Sequence, residues 1–298
     1  MTQERGGLVE KIGLVGVGLM GHGIAKNLVT KGWALNYVDH PGNQPTDDLD
    51  AAGAVKWNSA ADMAAACDVV VLCVTGSPQV EDVLIGSGGV LAALKPGTVI
   101  VDCSTAIPAS TQKLAAQVEA QGAHFVDAAM TRTPKEAEEG RLNLLVGGAP
   151  ELVDRLRPML GAFAENIFYA GATGTGHQLK LLHNIVSLGS VTLLTEVFAC
   201  AQKGGVDMGA LVDCLRKGGG SGVALERVAP YVLDDGALDQ MRFTVSNAAK
   251  DVAYYSQMAS DLDAEAAVAA GVKTVVDGQI EKGNGGAFMP ELIKLLQG

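Results

Sequence analysis

The 298-residue chain has no surplus of positive charge, no paired-cysteine spacing, no long uncharged run and no internal repeat. Lysine and arginine number 22 against 33 acidic residues, a formal charge of −11. So acidic a chain repels phosphate backbones and anionic bilayers, so neither nucleic acid nor membrane is an expected partner. An anionic substrate would need a few local cations to gather it. The five cysteines (Cys67, Cys73, Cys103, Cys200, Cys214) are odd in number and form no C-x-x-C pair. That pattern reads as reduced core thiols in a cytoplasmic protein. No basic cluster accompanies them, so a catalytic thiol is not expected, and no metal site is read. Met1–Glu10 lacks an apolar stretch with a cleavage site, so no secretory signal is expected. The longest uncharged run, between Lys180 and Glu196, is short for a bilayer span and contains His183 and Asn184. It reads as a buried core helix.

What is present is ordinary globular material: 48% apolar and 18% charged residues exclude a disordered chain. The length is near that at which chains split into two domains. Short runs rich in Val, Ile and Leu predict strands at Lys11–Val17, Ala34–Val38, Val69–Val74, Val99–Cys103, Phe125–Ala128 and Asn143–Gly147. They are continuous rather than alternating, as strands covered on both faces should be. Helical patterns near Gly21–Lys31, Ser59–Ala66, Pro78–Ile85, Ser110–Ala120 and Glu151–Ala162 fall between them. This alternation predicts an α/β, doubly wound, mostly parallel sheet. After Gly171–Gly176 no strand is expected. Helices are predicted at His177–Lys203, Asp207–Arg216, Ala248–Ser260 and Ala264–Lys282. The second domain therefore reads as all-α, with the boundary near Gly171.

The first strand runs into Gly16-Val17-Gly18-Leu19-Met20-Gly21 and then a helix. Gly16 permits the tight turn, Gly18 lets the backbone approach a pyrophosphate, and Gly21 lets helix and strand pack closely. The pyrophosphate would sit on unpaired N–H groups at the helix start. Asp39 ends the next strand after the appropriate gap of about 20 residues. Its carboxylate can accept both ribose hydroxyls and repels a 2′-phosphate, favouring NAD. His40 follows it and could hold that phosphate, which keeps NADP as the alternative.

Gly16–Gly21 and three later segments resemble the β-hydroxyacid dehydrogenase family, over almost the whole chain. The family includes 3-hydroxyisobutyrate dehydrogenase, tartronate semialdehyde reductase and sulfolactaldehyde reductase. The resemblance implies an NAD(P)-binding Rossmann domain over residues 1–171. It also implies an all-helical substrate and oligomerisation domain over 172–298, joined by a long interdomain helix, and a homo-oligomer (dimer or tetramer). Asp102-Cys103-Ser104-Thr105-Ala106-Ile107-Pro108 is similar to the family's D-x-S-T-x-x-P, which puts Thr105 beside the nicotinamide. Val74-Thr75 stands where the family has Leu-Pro against the cofactor. Gly174-x-Gly176-x-x-x-Lys180-x-x-His183-Asn184 is similar to G-x-G-x-x-x-K-x-x-N-N. It implies Lys180 as the catalytic residue and Asn184 as its partner at the substrate oxygen. Lys180 and Asn184 are four apart, so on a helix they share a face. His183 replaces the first Asn and is a candidate substrate contact. Phe243 with Lys250-Asp251 is similar to F-x-x-x-x-x-x-K-D, whose lysine reaches the nicotinamide end of the cofactor.

The substrate loop departs from the family. Where D-A-P-V-S-G-G is usual, the chain reads Asp127-Ala128-Ala129-Met130-Thr131-Arg132-Thr133. Thr131 can replace the serine hydroxyl, and Arg132 and Thr133 stand where paired glycines would expose backbone N–H groups. A guanidinium there offers a fork of donors to an acid group. Sulfolactaldehyde reductase has a matching arginine on its sulfonate, and Ser187 matches a substrate-contacting serine of that enzyme. The expected activity is hydride transfer between a nicotinamide cofactor and a small β-hydroxy acid, or its sulfonate or phosphonate counterpart. A reductase of other carbonyls or imines, and a nucleotide-sensing protein without turnover, are the competing readings. A sensor has no need of Lys180 on an apolar helix.

Overall fold

The computed structural model describes residues 10–40 and 42–298. Apart from Glu10, the segment Met1–Glu10 read for a secretory signal lies outside the described residues. In chain order the first elements are β1 (Lys11–Val15), α1 (Leu19–Thr30), β2 (Ala34–Val38), α2 (Asp47–Ala51), β3 (Val55–Trp57), α3 (Ala60–Ala66), β4 (Val69–Leu72) and α4 (Ser77–Ile85). Then come β5 (Val99–Asp102), α5 (Pro108–Glu119), β6 (His124–Thr131), α6 (Pro134–Glu138), β7 (Leu142–Gly147), α7 (Pro150–Leu160) and β8 (Ala164–Gly171). The helices α8 (Thr175–Lys203), α9 (Met208–Lys217), α10 (Val223–Leu233), α11 (Val245–Asp261), α12 (Ala267–Glu281) and α13 (Leu292–Leu295) follow. The chain forms two compact units that divide after Lys180, inside α8.

The first unit carries one eight-stranded sheet in the order β3-β2-β1-β4-β5-β6-β7-β8. Every pair is parallel except β6 with β7. Strand order reverses at β1, and such a switch point opens a crevice at the carboxyl ends of the strands. Alternate residues of one strand serve opposite faces. Val69, Val71, Val99 and Val101 join Ile24, Leu28 and Leu156 in one core. Val70, Leu72 and Ile100 join Met63, Leu84 and Leu114 in the other. Both faces are thus covered by helices, which is why β4 is apolar throughout and β5 is apolar up to its last residue, Asp102.

The second unit is helical. Its core gathers Val191 and Phe198 of α8, Val228 of α10, Val252 of α11 and Val276 of α12. Among the described residues α8 is the one helix whose length and apolarity would let it cross a bilayer. The uncharged run between Lys180 and Glu196 is by itself too short for a span, but the helix extends beyond it at both ends. Leu181, Leu188, Val191 and Phe198 are nevertheless buried within the protein.

Several elements differ from the expected ones. β1 stops at Val15 because Gly16 turns to φ +98°. β4 stops at Leu72 rather than Val74, and β6 runs on to Thr131 rather than ending at Ala128. β3 and β8, both unexpected, lie at the two edges of the sheet, where polar residues face solvent. The helix α10 was hidden by the glycine-rich Gly218–Gly222 before it and by Pro230 within it.

Candidate active site

The carboxyl ends of β1, β2, β4 and β5 bring Gly16–Gly21, Asp39, Val74-Thr75 and Thr105 to one edge of the sheet. A Cβ on Gly16 would meet the Cys73 carbonyl oxygen at 2.3 Å, and one on Gly21 would meet that of Gly16 at 1.9 Å. A Cβ on Gly18 would meet only Asn43 Oδ1, at 3.8 Å. Two glycines therefore serve close packing, whereas Gly18 faces open space. Gly18 caps α1 with no side-chain hydrogen bond, and the first turn (Leu19, Met20, Gly21) has no acidic residue. Such a helix start offers unpaired N–H groups and a positive dipole to an anion. Leu19 is exposed beside it.

Asp39 has one oxygen, Oδ1, that is buried and lacks a hydrogen-bond partner. Its Oδ2 lies 3.4 Å from Lys56 Nζ on β3. An orphaned buried carboxylate oxygen at the end of β2 suits a ribose hydroxyl. Together with the open Gly18 and the bare helix start, it shows that these residues fit a dinucleotide. Beyond β4, Val74 N–H donates to Ser104 Oγ at 3.1 Å, and Ser104 N–H donates to Asp102 Oδ1 at 2.9 Å. These bonds hold the Thr105 turn against Val74 and Thr75.

The start of α8 is fixed by Asp127, a fully buried residue of β6. Its carboxylate accepts from Gly174 N–H at 2.7 Å and His177 N–H at 2.8 Å. Two otherwise unpaired donors of the helix are thereby satisfied by a residue from another strand. Lys180 follows on the second turn of α8 and is half-buried.

The substrate-loop residues all have partners within this unit. Thr131 Oγ accepts from Asn143 Nδ2 at 3.1 Å, which leaves its own hydrogen to donate. Arg132 has φ +83°, a left-handed conformation uncommon outside glycine. Its Nη1 meets the Glu165 carboxylate of β8 and donates to the Arg141 carbonyl. Thr133 is committed to α6: its N–H donates to Glu136 Oε2 at 3.0 Å and its hydroxyl to the same carboxylate.

In the second unit, Asn184 is buried and donates from Nδ2 to Asp251 Oδ2 at 2.6 Å. Its Oδ1 accepts from His183 Nδ1 at 3.0 Å, which assigns the hydrogen of that ring to Nδ1. Lys250 Nζ lies 3.1 Å from Asp251 Oδ1 and 5.4 Å from the centroid of the Tyr254 ring. Asp251 thus orients the candidate amide and the candidate lysine together. Ser187 is on α8, one turn past His183, and Phe243 is half-buried against the helical core.

The cysteines are all free: Cys67 and Cys103 are buried, Cys73 is half-buried, and Cys200 and Cys214 are exposed, so the last two are not core thiols. Burial pushes the thiols of Cys67 and Cys73 up to about 11 and about 12. A thiol so raised is not a nucleophile near neutrality. Among the described residues no group of His, Cys, Asp and Glu could hold a metal ion.

Comparison with known proteins gives this arrangement its class. Residues 11–171 match the family described as the NAD binding domain of 6-phosphogluconate dehydrogenase. Residues 174–296 match the one described as the NAD-binding of NADP-dependent 3-hydroxyisobutyrate dehydrogenase. An NAD-dependent L-serine dehydrogenase of Pseudomonas aeruginosa is 32% identical over 75% of this chain and 74% of its own. A 2-hydroxy-3-oxopropionate reductase of Escherichia coli is 32% identical over 72% of this chain and 73% of its own. A 3-hydroxyisobutyrate dehydrogenase of Mycobacterium tuberculosis, solved with L-serine, shares the fold at a TM-score of 0.87 and 24% identity, over 98% of this chain and 100% of that one. The chain belongs to the β-hydroxyacid dehydrogenase family. It is an oxidoreductase that works with a nicotinamide cofactor.

Proposed function

We propose that the enzyme interconverts a small β-hydroxy acid, or its sulfonate or phosphonate counterpart, with the matching aldehyde or ketone, and that it prefers NAD to NADP. The nicotinamide, when bound, supplies or accepts the hydride. Asp39 takes the ribose hydroxyls, the α1 start takes the pyrophosphate, and Val74, Thr75, Thr105, Phe243 and Lys250 flank the nicotinamide end. Lys180 donates a proton to the carbonyl oxygen in reduction and, as a neutral amine, removes it in oxidation. Asn184 holds the same oxygen, with Asp251 keeping its amide turned. Thr131 and Arg132 take the acid group, and His183 and Ser187 complete the substrate contacts.

The observation that carries this reading is the Asp127 cap on α8. A buried carboxylate on the sheet fixes the start of the helix on whose second turn Lys180 sits. Support for the acid anchor comes from Arg132, which keeps a glycine-like backbone path while adding a guanidinium. Thr133 supports the loop by capping α6, its N–H and its hydroxyl both donating to Glu136. The five free thiols support a cytoplasmic location. Exposed Leu182, Val186 and Leu193, at helical spacing on α8, support a homo-oligomer, which light scattering would read.

The test follows nicotinamide absorbance with a panel of L-serine, 3-hydroxyisobutyrate, threonate, tartronate semialdehyde and sulfolactaldehyde. One member should be turned over, and Lys180→Ala should lower kcat on it about 10²–10⁴-fold while sparing NADH affinity. Silence across the panel, or near-normal kcat in the variant, would sink the reading.

A further inference from the structure

The first turn of α8 carries a buried polar link that none of these roles uses. His177 and Asp102 are both fully buried. Thr111 Oγ of α5 lies 2.7 Å from His177 Nδ1. The other ring nitrogen, Nε2, faces Asp102 Oδ2 at 3.8 Å, within ion-pair reach but beyond a hydrogen bond, and neither of these two atoms has a hydrogen-bond partner. A carboxylate and an imidazole out of water are costly unless they satisfy each other. A proton on either atom makes this approach attractive: Nε2–H facing a carboxylate, or a protonated Oδ2 facing bare Nε2. Without it two acceptors would face each other in a dry site. An apolar side chain of the same size would fill the space but leave Asp102 Oδ2 unpaired.

The link joins two pieces of the candidate site. Through Oδ1, Asp102 orders Ser104, and Ser104 Oγ holds Val74 N–H. Through Oδ2 it faces α8, three residues before Lys180. Asp127 pins the helix end by two backbone N–H groups, which act as a pivot. A side-chain contact from the first turn adds a second point and so fixes how far the helix is rotated about its own axis.

We propose that His177 is a positioning residue for Lys180: the Thr111–His177–Asp102 link sets the rotation of the first turns of α8 against the Thr105 turn. The link therefore governs where the Lys180 ammonium is presented, and it rests on the reading of Lys180 as the proton donor. His177 touches neither substrate nor cofactor in this role. A displaced proton donor slows chemistry without weakening the grip on the dinucleotide, because the glycine turn and Asp39 are untouched.

The experiment compares His177→Leu and His177→Gln with the parent enzyme, using the panel substrate turned over fastest. Its readouts are kcat, KM, NADH affinity by fluorescence, and the deuterium isotope effect on kcat with the carbinol carbon labelled. His177→Leu should lower kcat about 10–100-fold, as a misplaced group does. Its NADH affinity should stay near normal, and its isotope effect should rise as chemistry becomes slower. His177→Gln, which keeps a donor toward Asp102, should recover most of the loss and also covers the case of a poorly folding leucine variant. Hydrogen exchange supplies a readout independent of turnover: in His177→Leu, residues 175–183 and 102–107 should lose protection together. A leucine variant with near-parental kcat, a parallel loss of NADH affinity, or exchange confined to 175–183 would each overturn the proposal. A parent enzyme silent on the whole panel would fail the hydroxy-acid reading alone, and the exchange experiment would still decide the link.

Discussion

Replacing Asp127 by asparagine tests whether a carboxylate on the sheet fixes the start of α8. In the native side chain one oxygen takes Gly174 N–H and the other takes His177 N–H. Asparagine keeps one oxygen and turns its NH₂ toward the remaining donor. The side chain is fully buried, and its oxygens lie so close to Gly147 and Gly176 that a Cβ on either would come to 2.8 Å from them. One buried N–H without an acceptor costs about 1–3 kcal/mol. Losing the negative charge at the positive end of a 29-residue helix adds about 0.3–2 kcal/mol. Asp127→Asn should therefore lose about 1–5 kcal/mol, a large part of the roughly 5–15 kcal/mol that holds a domain together. Urea unfolding, followed by a probe in the first unit and extrapolated linearly, measures it. Asp127→Ala, which orphans both donors, should fall further. A change within about 0.5 kcal/mol, the range of ordinary surface substitutions, would refute the cap.

Further expectations concern the cofactor, the acid anchor and pH. Asp39→Ala should narrow the ratio of kcat/KM for NADH over NADPH, and Lys56→Ala should widen it, because Lys56 is the cation next to the ribose carboxylate. An enzyme that already prefers NADPH would show that Lys56 and His40 outweigh Asp39. Arg132→Ala should raise KM for a charged substrate far more than for a neutral aldehyde, and Glu165→Gln should lower it for the charged substrate by freeing the guanidinium from the carboxylate that neutralises it. Equal losses on charged and neutral substrates would make Arg132 a structural loop residue. His22 faces Glu138 and Asp48, and although burial opposes its charge, the two carboxylates win and raise its pKa above the ordinary value. The stability it adds is then complete below about pH 6.5 and fades as pH rises through the higher folded value. The urea midpoints of the parent and His22→Gln should converge toward alkaline pH; a gap constant from pH 5 to 9 would contradict this.

The parts of the fold that could be read from the sequence are those whose signal is local. β4 and β5 announce themselves because both faces are covered, so every residue but Asp102 at the end of β5 is apolar. β8 stays hidden because it is an edge strand, and Glu165, Asn166 and Tyr169 are chosen for solvent rather than for pairing. β3 is three residues long and gives no period at all. The stop of β1 at Val15 follows from one dihedral at Gly16, which the sequence signals as a glycine but not as an end.

The site divides along the same line. The residues proposed to touch a ligand lie in short motifs, so Gly16–Gly21, Asp39, Lys180 and Asn184 stand out in the sequence. The groups that hold them come from far along the chain: Asp127 acts 47 and 50 residues away, and Asp251 meets Asn184 across 67. Each stands in a recognisable segment, Asp127-Ala128 and Lys250-Asp251, yet nothing in that segment signals which donor it serves. Each is buried because a main-chain or amide donor it serves is buried too. Arg132 shows the limit most clearly. Its identity is legible and so is its suitability for an acid group, yet its electrostatics are set by Glu165, on a strand the sequence does not reveal. A guanidinium already carrying one carboxylate is near neutral as a unit, so the charge it offers a substrate depends on Glu165 as much as on Arg132. The specificity proposed for this loop therefore rests on Arg132 and Glu165 together and not on the motif alone.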